Sequence, residues 1–356
     1  MIKQGLPNVK KHKVVVLSIT YNHAKYIEET LKGFAMQQTY FPFLCCVFDD
    51  ASTDGEQEVL KRWVENHCNS EEVEVYDHPL TTILKAPDKN NTNCIYVIHL
   101  QKINTWGKTE KDDLLNYWRE QGEYIALCEG DDYWIDSLKL QKQVDFLNEN
   151  LDYILVHSDF IALNGETGEK IRNASSRYKI YEGNVFENLF EACFVRTPTI
   201  CYRNINIELK TTDLPINTFG GDLFLFYNLA SKGKFHFMHE ETCVYRVLKE
   251  SASHTSSAKI RKLRWQKYKN LDYFIANYFN VNQAIISMLD YKWFKIDLRI
   301  CIATNDSETL KGLVLPGPKI SIVDKYLYYC CKSRLIMLIL CIFLKIKGML
   351  GCNKWF

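Results

Sequence analysis

Glu123-Tyr124-Ile125-Ala126-Leu127-Cys128-Glu129-Gly130-Asp131-Asp132-Tyr133-Trp134 is the stretch that decides the fold. A short apolar run delivers three carboxylates, spaced around one glycine, to its C-terminal end. In an open α/β sheet, ligands bind in the crevice beyond the carboxyl ends of the strands, so these acids stand where a metal and a phosphate could be held. Packed carboxylates repel one another unless a cation or a proton intervenes, and a divalent metal meets that need. The competing reading is an acidic turn in which Asp131 or Asp132 merely caps the next helix.

Upstream, Lys13 to Ile19 reads as a buried parallel strand. Thr20-Tyr21-Asn22-His23 breaks it, and Ile27, Leu31, Phe34 and Ala35 recur at helical spacing. Phe43 to Phe48 is the next apolar run. It ends in Asp49-Asp50-Ala51-Ser52-Thr53-Asp54-Gly55, after which Val59, Leu60, Trp63 and Val64 mark another helix. Two consecutive βα units with polar side chains at both strand ends describe a nucleotide-binding half-sheet.

The order and spacing of these three strand ends resemble the family 2 glycosyltransferases, which have the GT-A fold. That fold is a Rossmann-like, mostly parallel mixed sheet flanked by helices. The resemblance covers residues 13–150 and continues more loosely to 255. It implies that Ser18 and Tyr21 line a nucleotide-base pocket, with the Tyr21 ring against uracil and Asp50 accepting from the uracil imide. An aromatic face and a carboxylate suit a flat base that carries an N–H donor. It also implies that Glu129, Asp131 and Asp132 form the D-x-D-type metal site, with Glu129 where many members have Asp. Which two of the three touch metal or ribose is left open. The favoured assignment puts Asp132 on Mn²⁺ or Mg²⁺, Asp131 on the metal or the ribose, and Glu129 and Gly130 at the donor or ribose. Gly130 is expected to adopt a backbone conformation closed to other residues and to leave room for phosphate.

An acceptor hydroxyl needs a base. Asp222, after Gly220-Gly221 and before a strongly apolar helix, is either a helix N-cap or, by the resemblance, that base. A base opposite the leaving group implies inversion at the anomeric carbon. Arg246, in a strand ending Tyr245-Arg246, and His254 are candidate diphosphate contacts, and a surface salt bridge is the alternative for Arg246. Trp134 is weighed as a sugar-stacking face and as a core aromatic.

The chain has 356 residues, 47% of them hydrophobic, and a net charge of +1, which excludes a general nucleic-acid binder. Its 13 cysteines are scattered with no C-x-x-C, which suits reduced, buried thiols in a cytoplasmic protein. Val14 to Ile19 is too short for a signal-peptide core and reads as the first strand. The expected organisation is a catalytic domain over 1–255, with a nucleotide half at 13–150 and an acceptor half at 151–255, and a helical extension over 256–356. Residues 79–93 read as a polar loop.

From Lys319 onward the chain carries seven Lys or Arg against the single acid Asp324, and Leu335 to Leu344 is apolar throughout. Ten such residues fall short of the roughly twenty needed to span a bilayer. The tail is therefore expected either to rest on an anionic membrane surface or to pack on protein. The sequence thus points to a metal-dependent, inverting transferase. It would use a UDP-sugar and a glycan or lipid-linked acceptor at the inner membrane face, in surface-polysaccharide synthesis. A sugar-nucleotide pyrophosphorylase would need a glycine-rich basic loop after the first strand, which Thr20 to Lys25 lacks. A processive synthase would need several membrane spans. A non-catalytic sugar-nucleotide-binding or scaffold protein on the same fold is the remaining alternative.

Overall fold

The computed structural model describes residues 5–106, 108–205, 214–215, 221–248, 258–317 and 320–349. The chain divides into two units: residues 1–186, 194–213 and 221–248 form the first, and 187–193, 214–220 and 249–356 the second.

The first unit is built on β1 (His12–Thr20), α1 (Ile27–Ala35), β2 (Phe43–Asp49), α2 (Glu56–His67), β3 (Glu74–His78), β4 (Thr81–Pro87) and β5 (Cys94–Gln101). It continues through α3 (Thr109–Arg119), β6 (Gly122–Leu127), β7 (Tyr133–Trp134), α4 (Lys139–Glu149), β8 (Tyr153–Asn164) and β9 (Lys170–Ile171). After α5 (Phe186–Glu191), which falls in the second unit except for Phe186, come β10 (Cys201–Arg203), α6 (Gly221–Ala230) and β11 (Lys234–Val247). The strands form one mixed sheet in the order β3-β4-β5-β2-β1-β6-β10-β8-β11-β7, with β9 on β8. β5, β2, β1 and β6 are mutually parallel, and β10 enters antiparallel between β6 and β8.

Parallel strands covered on both faces read as continuous apolar runs, and β2 is buried at every position. Ile27, Leu31 and Phe34 of α1 are fully buried in the same core, where truncation to Ala typically costs about 2–5 kcal/mol. Register places the chemistry on one edge. Thr20 pairs with Asp49 and Leu17 with Leu127, so the ends of β1, β2 and β6 open side by side.

The expected polar loop over 79–93 is corrected in part. Thr81 to Pro87 pairs with both β3 and β5, because Thr81-Thr82-Ile83-Leu84 favours an extended, half-buried strand. Pro87 sits at the strand's last position, where a missing amide costs least.

The second unit is helical in its described residues: α7 (Ala258–Tyr278), α8 (Gln283–Thr304), α9 (Ser307–Gly312), α10 (Ile322–Cys331) and α11 (Arg334–Met349). Phe294, Leu298 and Cys301 of α8 share a core with Leu310, Tyr328, Cys331 and Met337. Among the described residues no helix is long and apolar enough to cross a membrane.

Candidate active site

The β6 turn is held from three sides. Gly130 N donates to Ile19 O at 3.0 Å, which carries the β1 pairing past the end of the strand. Thr30 of α1 donates its hydroxyl to Gly130 O at 3.0 Å and to Asp132 O at 2.6 Å. Arg246, near the end of β11, donates its backbone amide to Asp132 Oδ1 at 2.7 Å and its guanidinium to Asp131 O and Glu29. That guanidinium lies 4.8 Å from the Tyr26 ring centroid and 4.5 Å from that of Tyr133. Its guanidinium is buried, while its ion-pair partner Glu29 is about half exposed.

Gly130 is required for a reason other than the one expected. It is not among the residues with positive φ, but a Cβ there would lie 2.1 Å from Thr20 Oγ1 and 2.4 Å from Thr20 Cβ. The close approach of β1, not an unusual backbone conformation, demands glycine.

The three acids differ in surroundings. Asp132 is buried, and burial, reinforced by Asp131 and Glu129, pushes its carboxyl well above the usual range against the pull of Arg246. Glu129 is half-buried and accepts from the Thr197 hydroxyl at 2.7 Å. Burial raises its pKa to about 7, with Asp131 and Asp222 adding to the rise and the Thr197 bond opposing it. Asp131 is half-exposed, and no hydrogen bond to its carboxylate is present among the described residues.

Asp222 stands in the first turn of α6 with its side chain open to solvent. Protein enclosing its other sides raises its pKa, opposed by the Leu223 amide and by the Arg196 charge. Its charge adds to the rise of the Glu129 pKa.

At the nucleotide end, Tyr21 is exposed and Ser18 is buried with its hydroxyl unpartnered. Asp50 is fastened: its Oδ1 accepts from Thr105 N at 2.6 Å and from the Thr105 hydroxyl at 2.7 Å. Lys111 Nζ lies 3.7 Å from the other oxygen and 4.4 Å from the centre of the exposed Trp106 ring. Trp106, Thr105 and Lys111 were not singled out in the sequence. The only signal there is a turn after β5, Asn104-Thr105-Trp106, followed by the α3 pattern.

Glu56 was also missed. It is fully buried at the start of α2, where it accepts from the Thr20 hydroxyl, from His23 N at 2.8 Å and from the Ser52 hydroxyl at 2.9 Å. It ties the β1 turn to the β2 turn.

The sugar-stacking role weighed for Trp134 is overturned. Its ring is buried against Phe34, 4.9 Å between centroids, and its Nε1 donates to Pro198 O at 2.9 Å. His254 lies outside the described residues.

Comparison with known proteins agrees with this geometry. Residues 15–82 match the sequence model of Glycosyl transferase family 2. An uncharacterised protein of Mycobacterium bovis is 28% identical over 253 residues, 70% of this chain and 63% of its own length. The chain therefore spans just under two thirds of that relative. A Bacillus subtilis protein named as a teichuronic acid biosynthesis glycosyltransferase, TuaG, is 23% identical over 74% of this chain and 89% of its own. In fold, the chain resembles the crystal structure of S. aureus TarS 1–349, with a TM-score of 0.50, 17% identity and coverage of 95% and 92%. Residues 15–82 thus carry the sequence signature of the family 2 glycosyltransferases, on a mixed sheet whose fold is similar to that of TarS 1–349.

Proposed function

We propose that the protein transfers a sugar from a UDP-sugar to a hydroxyl of a glycan or lipid-linked acceptor, with inversion, in the synthesis of a surface polysaccharide at the inner membrane face. The observation that carries this reading is the Glu129-Gly130-Asp131-Asp132 turn that follows β6, where the ends of β1, β2 and β6 open side by side.

In this reading Tyr21 and Ser18 receive the base, and the polar edge beside Asp50 reads its hydrogen-bonding groups. Asp222 takes the proton of the attacking hydroxyl. Its raised pKa suits that task, because a base works best with a pKa near the working pH.

The residues present fit a divalent cation. Three carboxylates crowd one turn, two of them shifted toward the protonated form, while the Asp131 carboxylate has no hydrogen-bond partner among the described residues. No group of three or more ligands is assembled among the described residues. Mn²⁺ or Mg²⁺ bound through one or two carboxylates plus substrate phosphates needs no such cage. Asp131 is the favoured protein ligand, with Glu129 beside it, since Asp132 already accepts from Arg246. A bound cation would offset the charge that grows on the departing diphosphate.

The test is UDP release from a panel of UDP-sugars, with and without Mn²⁺, together with UDP binding. Metal-dependent turnover of one donor supports the reading. Absence of UDP binding would remove the nucleotide site and leave the scaffold alternative.

A further inference from the structure

We propose that α10 and α11 form an interfacial docking surface for an anionic lipid bilayer, in which the protein rests on the headgroup layer without crossing it. The inference stands independently of the transferase reading, because it concerns the second unit alone.

Both helices bury one face on the same core. Tyr328 and Cys331 of α10 and Met337 of α11 pack with Phe294, Leu298 and Cys301 of α8. Their opposite faces would be expected to be polar, and they are not. Ile322, Tyr326 and Tyr329 recur at i, i+4 and i+7 along α10, and Leu335, Ile339 and Ile342 do so along α11. These six side chains are between 49% and 87% exposed. Two adjacent apolar stripes turned away from a shared core make a contiguous surface, which a water-soluble face does not retain without an occupant.

Charge selects the occupant. Between residues 320 and 349 the only acid is Asp324, against Lys325, Lys332, Arg334, Lys345 and Lys347. Asp324 is already engaged by the Tyr291 and Ser321 hydroxyls. Lys332, at the C-cap of α10, and Arg334, the first residue of α11, have exposed side chains next in sequence to the apolar stripes, and Arg334 lies 3.9 Å from the exposed Glu308. A second copy of this surface would bring like charges together, whereas anionic headgroups complement them. Apolar stripes with tyrosines and flanking cations are what a helix lying in a bilayer interface presents. The 16 residues of α11 are too few and too basic at both ends to span.

The full chain is tested by flotation with vesicles of phosphatidylcholine alone and of phosphatidylcholine mixed equally with phosphatidylglycerol. Binding to the anionic vesicles only is expected. It should fall more than about tenfold in Leu335→Glu/Ile339→Glu, and by about as much in Lys332→Gln/Arg334→Gln or at high salt. All four positions are exposed, so unfolding temperatures should match the wild type. No binding to anionic vesicles overturns the proposal, as does equal binding to neutral ones. A concentration-dependent dimer that Leu335→Glu/Ile339→Glu breaks, without vesicle binding, also overturns it and assigns the surface to self-association.

Discussion

Arg246 N donates to Asp132 Oδ1 at 2.7 Å, so the last acid of the β6 turn is fastened to the end of β11. The bond uses backbone on one side and a buried carboxylate on the other, and it separates the roles of two neighbouring acids. Asp132→Asn keeps an oxygen that can accept from Arg246 N, and the turn should survive. Asp131→Asn removes the charge from a partly exposed carboxylate that has no hydrogen-bond partner among the described residues. Steady-state kinetics should show kcat/KM lowered by roughly 100-fold or more in Asp131→Asn and by less than about tenfold in Asp132→Asn. Equal losses would mean that both acids serve the substrate.

Asp222→Asn is nearly isosteric at an exposed position in the first turn of α6, so nucleotide affinity and folding should be unchanged. Loss of a general base lowers transfer by about 10²–10⁴-fold. The check is kcat for sugar transfer beside calorimetric binding of UDP. If transfer persists near the wild-type rate, another group accepts the proton.

The strand ends were legible in the sequence because parallel strands buried on both faces write themselves as apolar runs, and the acids that stop them are abrupt. Asp222 was singled out only through family resemblance, since no local pattern couples residues so far apart. Glu56 and Thr105 were not legible. Each satisfies groups from a neighbouring strand end, and side chains that act across a sheet edge leave no periodicity. Gly130 was singled out for the wrong reason: a glycine dictated by the Thr20 side chain looks, in sequence, like a glycine dictated by its own backbone. Trp134 failed as a sugar platform because its ring fills the gap between α1 and β7.

Ala51, in the turn after β2, adopts φ +60°, a left-handed conformation that costs an L-residue about 1–2 kcal/mol. Glycine would relieve that cost, offset in part by the greater freedom it gives the unfolded chain. Ala51→Gly should therefore stabilise the first unit by about 0.5–1 kcal/mol. The measurement is the urea midpoint under unchanged buffer. A lower midpoint would show that Ala51 contributes packing that outweighs its backbone cost.

His99 supplies a pH dependence whose sign can be worked out. Its ring stacks on Phe48 at 4.5 Å and meets the edge of Trp118 at 5.6 Å, fully buried, and neither nitrogen has a hydrogen-bond partner. Burial, with a smaller contribution from His78, lowers its pKa from 6.5 to about 3. The unfolded chain therefore binds a proton below pH 6.5 that the folded chain refuses until about pH 3. Stability present above 6.5 is lost as pH falls through that window. His157, also buried and lowered to about 3, adds to the same slope. Phe at position 99 keeps the ring contacts, cannot be protonated and removes two unmet nitrogens. Between about pH 7 and pH 5, His99→Phe should lose roughly 2 kcal/mol less stability than the wild type. Urea unfolding at the two pH values measures this, and an unchanged difference would place the acid sensitivity on other groups.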